Sequence, residues 1–144
     1  IRMREIINPE LQQILVEKAS DVFRRVFSRG IYGVVEPPRF ETSSEIQMMY
    51  NAHCDISGHT MMPEAALARA IGASYAGLYV ISNHAEGILP NWKQSIFDIY
   101  ESCAPVVGRV MLNAMAAIDP EKVHNNSEEN IIKMPEHVAK RIEA

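Results

Sequence analysis

The side chains with chemistry to offer gather in three short stretches: Pro38-Arg39-Phe40-Glu41-Thr42, then Gly58-His59-Thr60-Met61-Met62-Pro63-Glu64, then Ser82-Asn83. Each stands where an extended apolar run gives way to a loop or a helix start. In an open α/β sheet that edge is where ligands bind, because the carboxyl ends of strands and the amino ends of helices converge there. The polar groups delivered to it are Glu41, His59, Thr60 and Asn83. A carboxylate beside an amide suits a flat, hydrogen-bonding heterocycle better than it suits a metal ion. Each residue also has a plainer use. Glu41 could complement the positive end of a helix dipole. Asn83 could be a turn residue, Thr60 a turn or cap, and His59 and His84 satisfied loop histidines. Their joint placement at three strand ends is what favours a ligand.

The elements that must position these groups follow from local signals. Asn8-Pro9-Glu10 reads as a helix start, with a capping amide, proline at the first helical position and an acid in the first turn. Leu11, Ile14, Leu15, Val22, Phe23 and Val26 continue at helical spacing toward Gly30 as terminator. Ile31 to Val35 is a short run of strand type. Thr42-Ser43-Ser44-Glu45 fits a capping box, and Ile46, Met49, Tyr50 and His53 follow on one helical face. Cys54 to Ser57 makes a second strand, and a third helix runs from Pro63-Glu64 to Gly72. Tyr75 to Ile81 is nearly unbroken apolar sequence, as expected of a strand covered on both faces. Asn91 could cap a long helix with Ile96, Phe97, Tyr100, Val107, Met111 and Met115 on its apolar face, ended by Asp119-Pro120. Residues 119–144 form a polar tail in which Pro135 to Ile142 could add a short helix.

Alternation of this kind predicts an α/β fold, with a parallel or mixed sheet flanked by helices. Three strands make a thin sheet, so the chain reads as half of a larger α/β domain. Its 144 residues are 47% hydrophobic, enough for a sizeable core. A net charge of -4 leaves no basic footprint for nucleic acid. Cys54 and Cys103 sit in apolar surroundings without disulfide or zinc spacing, which predicts buried thiols of a cytoplasmic protein. No apolar run approaches the roughly 20 residues of a membrane span, and no signal-peptide pattern opens the chain. The first residue is Ile1 rather than Met, which points to a chain trimmed, cleaved or begun at an internal point.

Three motifs, in register, carry a resemblance. They are Tyr32-Gly33-Val34-Val35-Glu36-Pro37-Pro38-Arg39-Phe40-Glu41-Thr42, then Gly58-His59-Thr60-Met61-Met62-Pro63-Glu64 followed by Leu67-Ala68-Arg69, then Tyr79-Val80-Ile81-Ser82-Asn83. Together they resemble the trimeric purine nucleoside phosphorylase and methylthioadenosine phosphorylase family over roughly residues 6 to 118. The resemblance implies a phosphorylase/hydrolase-like three-layer fold with a mixed central sheet, of which residues 1–118 would be the carboxyl-terminal half. It implies phosphate-dependent cleavage of the N-glycosidic bond of purine nucleosides, with phosphate as co-substrate and neither cofactor nor metal. Glu41 is similar to the carboxylate that accepts from purine N1-H, and Phe40 to its neighbour packing on the base. Asn83 is similar to the amide at the O6/N7 edge, where an aspartate in other members goes with 6-aminopurines; asparagine leans toward 6-oxopurines. Thr60 resembles the hydroxyl residue that helps hold phosphate, and Tyr32 the tyrosine beside the ribose.

The departures from the family pattern are Pro37 in place of a glycine and His59 in place of the methionine under the ribose. A histidine that meets the 5'-hydroxyl in some members has no counterpart near Gln94. The family's amino-terminal half, with its phosphate ligands, has no counterpart here either. The resemblance therefore implies a partner polypeptide supplying that half, and assembly of the completed unit into a trimer. Two other readings stay open: a non-catalytic purine- or nucleoside-binding relative, motivated by Pro37 and His59, and a structural remnant that only oligomerises.

Overall fold

The computed structural model describes residues 3–89, 95–125, 135–136 and 140. Helix α1 spans Pro9–Ser20, strand β1 Tyr32–Val34, helix α2 Ser43–Asn51, strand β2 Ile56–Gly58, helix α3 Met61–Ala70 and helix α4 Ile96–Ala117. The two strands pair in parallel, with Tyr32 opposite Ile56, Gly33 opposite Ser57 and Val34 opposite Gly58. Helices and a parallel ladder connected through α2 make this an α/β fold.

The cap signals are realised closely. The Asn8 side chain accepts from the Leu11 amide at 2.9 Å, and Pro9 opens α1. Asn8 is buried, and it ties distant pieces together. Its Nδ2 donates to the His124 carbonyl at 2.8 Å, and its own amide donates to the Tyr75 carbonyl at 2.7 Å. Thr42 and Glu45 form the full capping box of α2. Helix α3 has non-helical dihedrals at Met62, so its regular part begins at Pro63. Helix α4 packs along α1, with Val110, Ala114 and Ala19 buried.

Four expectations are corrected. Helix α1 stops at Ser20, well before Gly30: Ser20 Oγ turns back to the Val16 carbonyl at 2.7 Å, and the amides of Val22 and Phe23 both bond the Ala19 carbonyl. Short polar side chains that bond their own backbone end helices in this way. Helix α2 ends at Asn51, so His53 does not continue its face; it takes a positive φ of 61° and is exposed. Helix α4 is capped by Ser95, whose Oγ accepts from the Asp98 amide at 3.4 Å; Asn91 and Gln94 lie outside the described residues. Most of the expected terminal helix lies outside them as well.

The fourth correction is the largest. Tyr75 to Ile81 joins no ladder, and its side chains are part-exposed, Ile81 at 61%. An apolar run becomes a strand only where another strand can receive its amides and carbonyls. Among the described residues β1 and β2 pair only with each other. The segment is held at its start by the Asn8 amide and otherwise by side chains: the Tyr79 ring lies 4.8 Å from the Tyr32 ring, and the Tyr75 hydroxyl stands 3.5 Å from Glu64 Oε2.

Candidate functional site

Strand β2 ends at Ser57-Gly58, and the loop after β1 returns to α2 through Pro38-Arg39-Phe40-Glu41. The two meet at Glu41. This carboxylate is only 8% exposed, and its Oε1 accepts from Ser57 Oγ at 2.9 Å. A buried carboxylate needs such a donor, since an unpaired one bears the full desolvation cost. One oxygen is thereby engaged.

Glu41 lines a cavity of about 290 Å³ with Phe40, Asn83, His84, Glu86, Leu89 and Ile96 among its walls. Its walls mix the apolar side chains of Phe40, Leu89 and Ile96 with the polar ones of Glu41, Asn83, His84 and Glu86, and placed polar groups are what fix the orientation of a small molecule. Phe40 is 63% exposed, a large ring presented rather than packed away. Asn83 lines the same cavity, although its bonds are local: Nδ2 donates to the His84 carbonyl at 2.9 Å, and Oδ1 accepts from Ser82 Oγ at 2.7 Å. An amide has a second N-H and a second lone pair, so both ends can still meet a ligand. Gly87 completes the wall; its φ of 83° is one that L side chains rarely adopt, and an added Cβ there would strike the Ser43 side chain.

Phe40, Glu41 and Asn83 are thus brought together, while Tyr32, His59 and Thr60 do not line this cavity. His59 lies on its flank, with its ring centroid 6.1 Å from that of Phe40. His59 Nδ1 stands 2.9 Å from the Val35 carbonyl, which can only accept, so that nitrogen carries the proton. Tyr32 crosses over Gly58 so closely that a side chain there would collide with its hydroxyl, and the Thr60 amide donates to that hydroxyl at 3.4 Å. Thr60 precedes α3 without capping it through its side chain. Burial, then a hydrogen bond with Tyr75, pushes the Tyr79 hydroxyl above its ordinary range, so the ring beside Tyr32 stays neutral.

Reading by motif overlooked Ser57, the donor that fixes Glu41. Ser57 is the middle residue of β2, and a lone hydroxyl in so short a strand carries no motif. Among the described residues no cluster of three or more His, Cys, Asp or Glu could hold a metal ion, and no helix is long and apolar enough to cross a membrane.

Comparison with known proteins gives these features a context. The family model described as "Phosphorylase superfamily" matches residues 1–131. A "Probable 6-oxopurine nucleoside phosphorylase" of Thermococcus kodakarensis is 36% identical over 111 residues, covering 77% of this chain and 41% of that protein. A "Probable S-methyl-5'-thioinosine phosphorylase" of Xylella fastidiosa is 45% identical over 99 residues, covering 69% of this chain and 42% of that protein. Among solved structures, a methylthioadenosine phosphorylase sourced from an antarctic soil metagenomic library superposes with a TM-score of 0.77 at 25% identity, covering 91% of this chain and 48% of that one. The chain therefore spans less than half the length of each of these three relatives.

Proposed function

The chain belongs to the phosphorylase superfamily, and from that membership we propose that it is the carboxyl-terminal, base-recognising half of a purine nucleoside phosphorylase-like enzyme acting on 6-oxopurine nucleosides. The observation that carries the reading is Glu41, a buried carboxylate held by Ser57 in one cavity with Phe40 and Asn83. The 6-oxopurine and methylthioinosine names of two relatives support the choice of base, because both describe a purine with oxygen at position 6.

In this reading the purine lies against Phe40. Glu41 accepts from N1-H, which orients the ring. Cleavage of the N-glycosidic bond leaves an electron-poor ribosyl centre and sends negative charge into the purine, and the Asn83 amide donates to that charge near N7. Neither residue is a nucleophile; inorganic phosphate attacks the sugar. Tyr32 stands beside the ribose with His59, and Thr60 contributes one hydroxyl to the phosphate. Phosphoryl oxygens need several preorganised donors, each worth about 3 kcal/mol in the transition state. The remaining donors come from an amino-terminal half supplied by further polypeptide. Exposed apolar side chains on α4, with Phe97 at 76% and Leu112 at 68%, support a fold completed elsewhere. Assembly of the completed unit into a trimer, in the cytoplasm, belongs to the same reading.

Asn83→Asp tests the base assignment. A carboxylate cannot donate to O6 but can accept from a 6-amino group, so competition of hypoxanthine against adenine should shift toward adenine. An unchanged ratio would remove Asn83 from the base site. Hypoxanthine binding without phosphate-dependent cleavage by the complete protein would leave a purine-binding relative instead.

A further inference from the structure

The loop that carries Phe40 and Glu41 is closed by one carboxylate. Arg39 Nη2 donates to Glu45 Oε1 at 2.6 Å, and Arg39 Nη1 donates to Glu45 Oε2 at 2.8 Å. Glu45 Oε2 also accepts from the Thr42 amide at 2.8 Å and from Thr42 Oγ1 at 2.9 Å. The residues immediately before and after Phe40-Glu41 are therefore bound to the same side chain. Arg39 Nη1 adds a bond to the Phe40 carbonyl at 3.1 Å, which ties the guanidinium to the loop backbone itself. Around Glu41 this leaves two restraints of different kinds: Ser57 holds the carboxylate, and the Arg39-Glu45-Thr42 clamp holds the main chain that presents it.

We propose that Arg39 is a positioning residue for base recognition, setting the Phe40-Glu41 segment through its bidentate bond to Glu45. The inference rests on the reading of Glu41 as the base-facing carboxylate. An exposed ion pair adds little to stability, and Arg39 is 56% exposed, so stability is a weak reason for so many directed bonds. Bidentate geometry, by contrast, specifies orientation as well as attraction. Lysine could keep the charge but not the fork.

The test is a double-mutant cycle on the complete enzyme, read as hypoxanthine affinity by calorimetry, with the melting temperature of each variant beside it. Arg39→Ala should weaken hypoxanthine binding about tenfold, the scale of one lost directed bond, with little change in melting temperature. Arg39→Lys should recover only part of that loss. In the Glu41→Gln background the Arg39→Ala effect should be clearly smaller, because the charged acceptor that Arg39 positions is already removed and only the placement of Phe40 remains to be lost. Equal losses in both backgrounds, or a loss that follows melting temperature alone, would overturn the proposal. So would full recovery in Arg39→Lys. If Glu41→Gln by itself leaves hypoxanthine affinity unchanged, the base-site reading fails. If Glu41→Gln weakens binding while Arg39→Ala does not, only the positioning role fails.

Discussion

Two segments reach the same cavity, and they are held in different ways. The loop at 36–45 brings Phe40 and Glu41 in a mesh of side-chain bonds drawn from Arg39, Thr42, Glu45 and Ser57. The segment at 75–83 brings Asn83, whose side chain bonds only its neighbours Ser82 and His84, after an apolar run that finds no ladder. The first is built from contacts within six residues plus one strand neighbour, and such contacts form wherever the local sequence allows. The second needs a strand beside it that the described residues do not supply. In the reading proposed here, a mesh of bonds within this chain fixes Glu41, whereas Asn83 reaches the same cavity on a segment that has no neighbouring strand among the described residues.

That contrast can be broken most sharply at Glu41. Glu41→Gln keeps the size of the side chain but removes the charged acceptor. Affinity of the complete enzyme for 6-oxopurines should fall by roughly 1 to 3 kcal/mol, with melting temperature little changed. A collapse of melting temperature with affinity intact would make Glu41 a structural residue and end the comparison.

A smaller effect is expected at Ser57. Ser57→Ala removes the donor to Glu41 Oε1 and leaves that oxygen buried without it. Hypoxanthine affinity should drop by about 1 kcal/mol, because the lost bond holds the carboxylate in position and does not itself touch the base. Calorimetry on the wild type and variant reads it, and an unaltered affinity would mean that the loop clamp suffices to hold the carboxylate.

The smallest effect concerns the clamp and pH. The Arg39 guanidinium, then the Thr42 amide and hydroxyl, hold the Glu45 carboxyl at about 2, below its ordinary 4.5. A depressed carboxyl stabilises the fold above its unfolded value, and that contribution is lost as pH falls through the folded one. The window therefore lies between 4.5 and about 2. Because Arg39 is exposed and Glu45 part-exposed, the effect should be modest and should shrink with added salt. Melting curves across that window, compared with Glu45→Gln, should converge at the acid end. A constant gap between the two proteins would detach the clamp from Glu45 ionisation.

How much of this was legible in the sequence follows the same division. The cap at Asn8, the capping box at Thr42 and Glu45 and the regular start of α3 at Pro63 rest on contacts a few residues apart, and each was readable. Phe40, Glu41 and Asn83 do share one cavity, although the run before Asn83 forms no strand and the strand-end reasoning holds only for the loop after β1. Tyr75 to Ile81 was misread because strand formation depends on a distant partner rather than on the run itself. The early end of α1 depends on Ser20 turning back to its own backbone, which competes with an apolar periodicity that continues past it. Ser57 was passed over because a single hydroxyl in a short strand has no pattern of its own.

The central claim is that this chain carries base recognition while turnover waits for the rest of the phosphorylase fold. Phosphate-dependent release of hypoxanthine from inosine, measured on this chain alone and then with an amino-terminal phosphorylase polypeptide added, tests it most directly. The account predicts no cleavage by the chain alone and cleavage once the two polypeptides form a complex. Inosine phosphorolysis by a stable, cooperatively melting monomer of these 144 residues would contradict it.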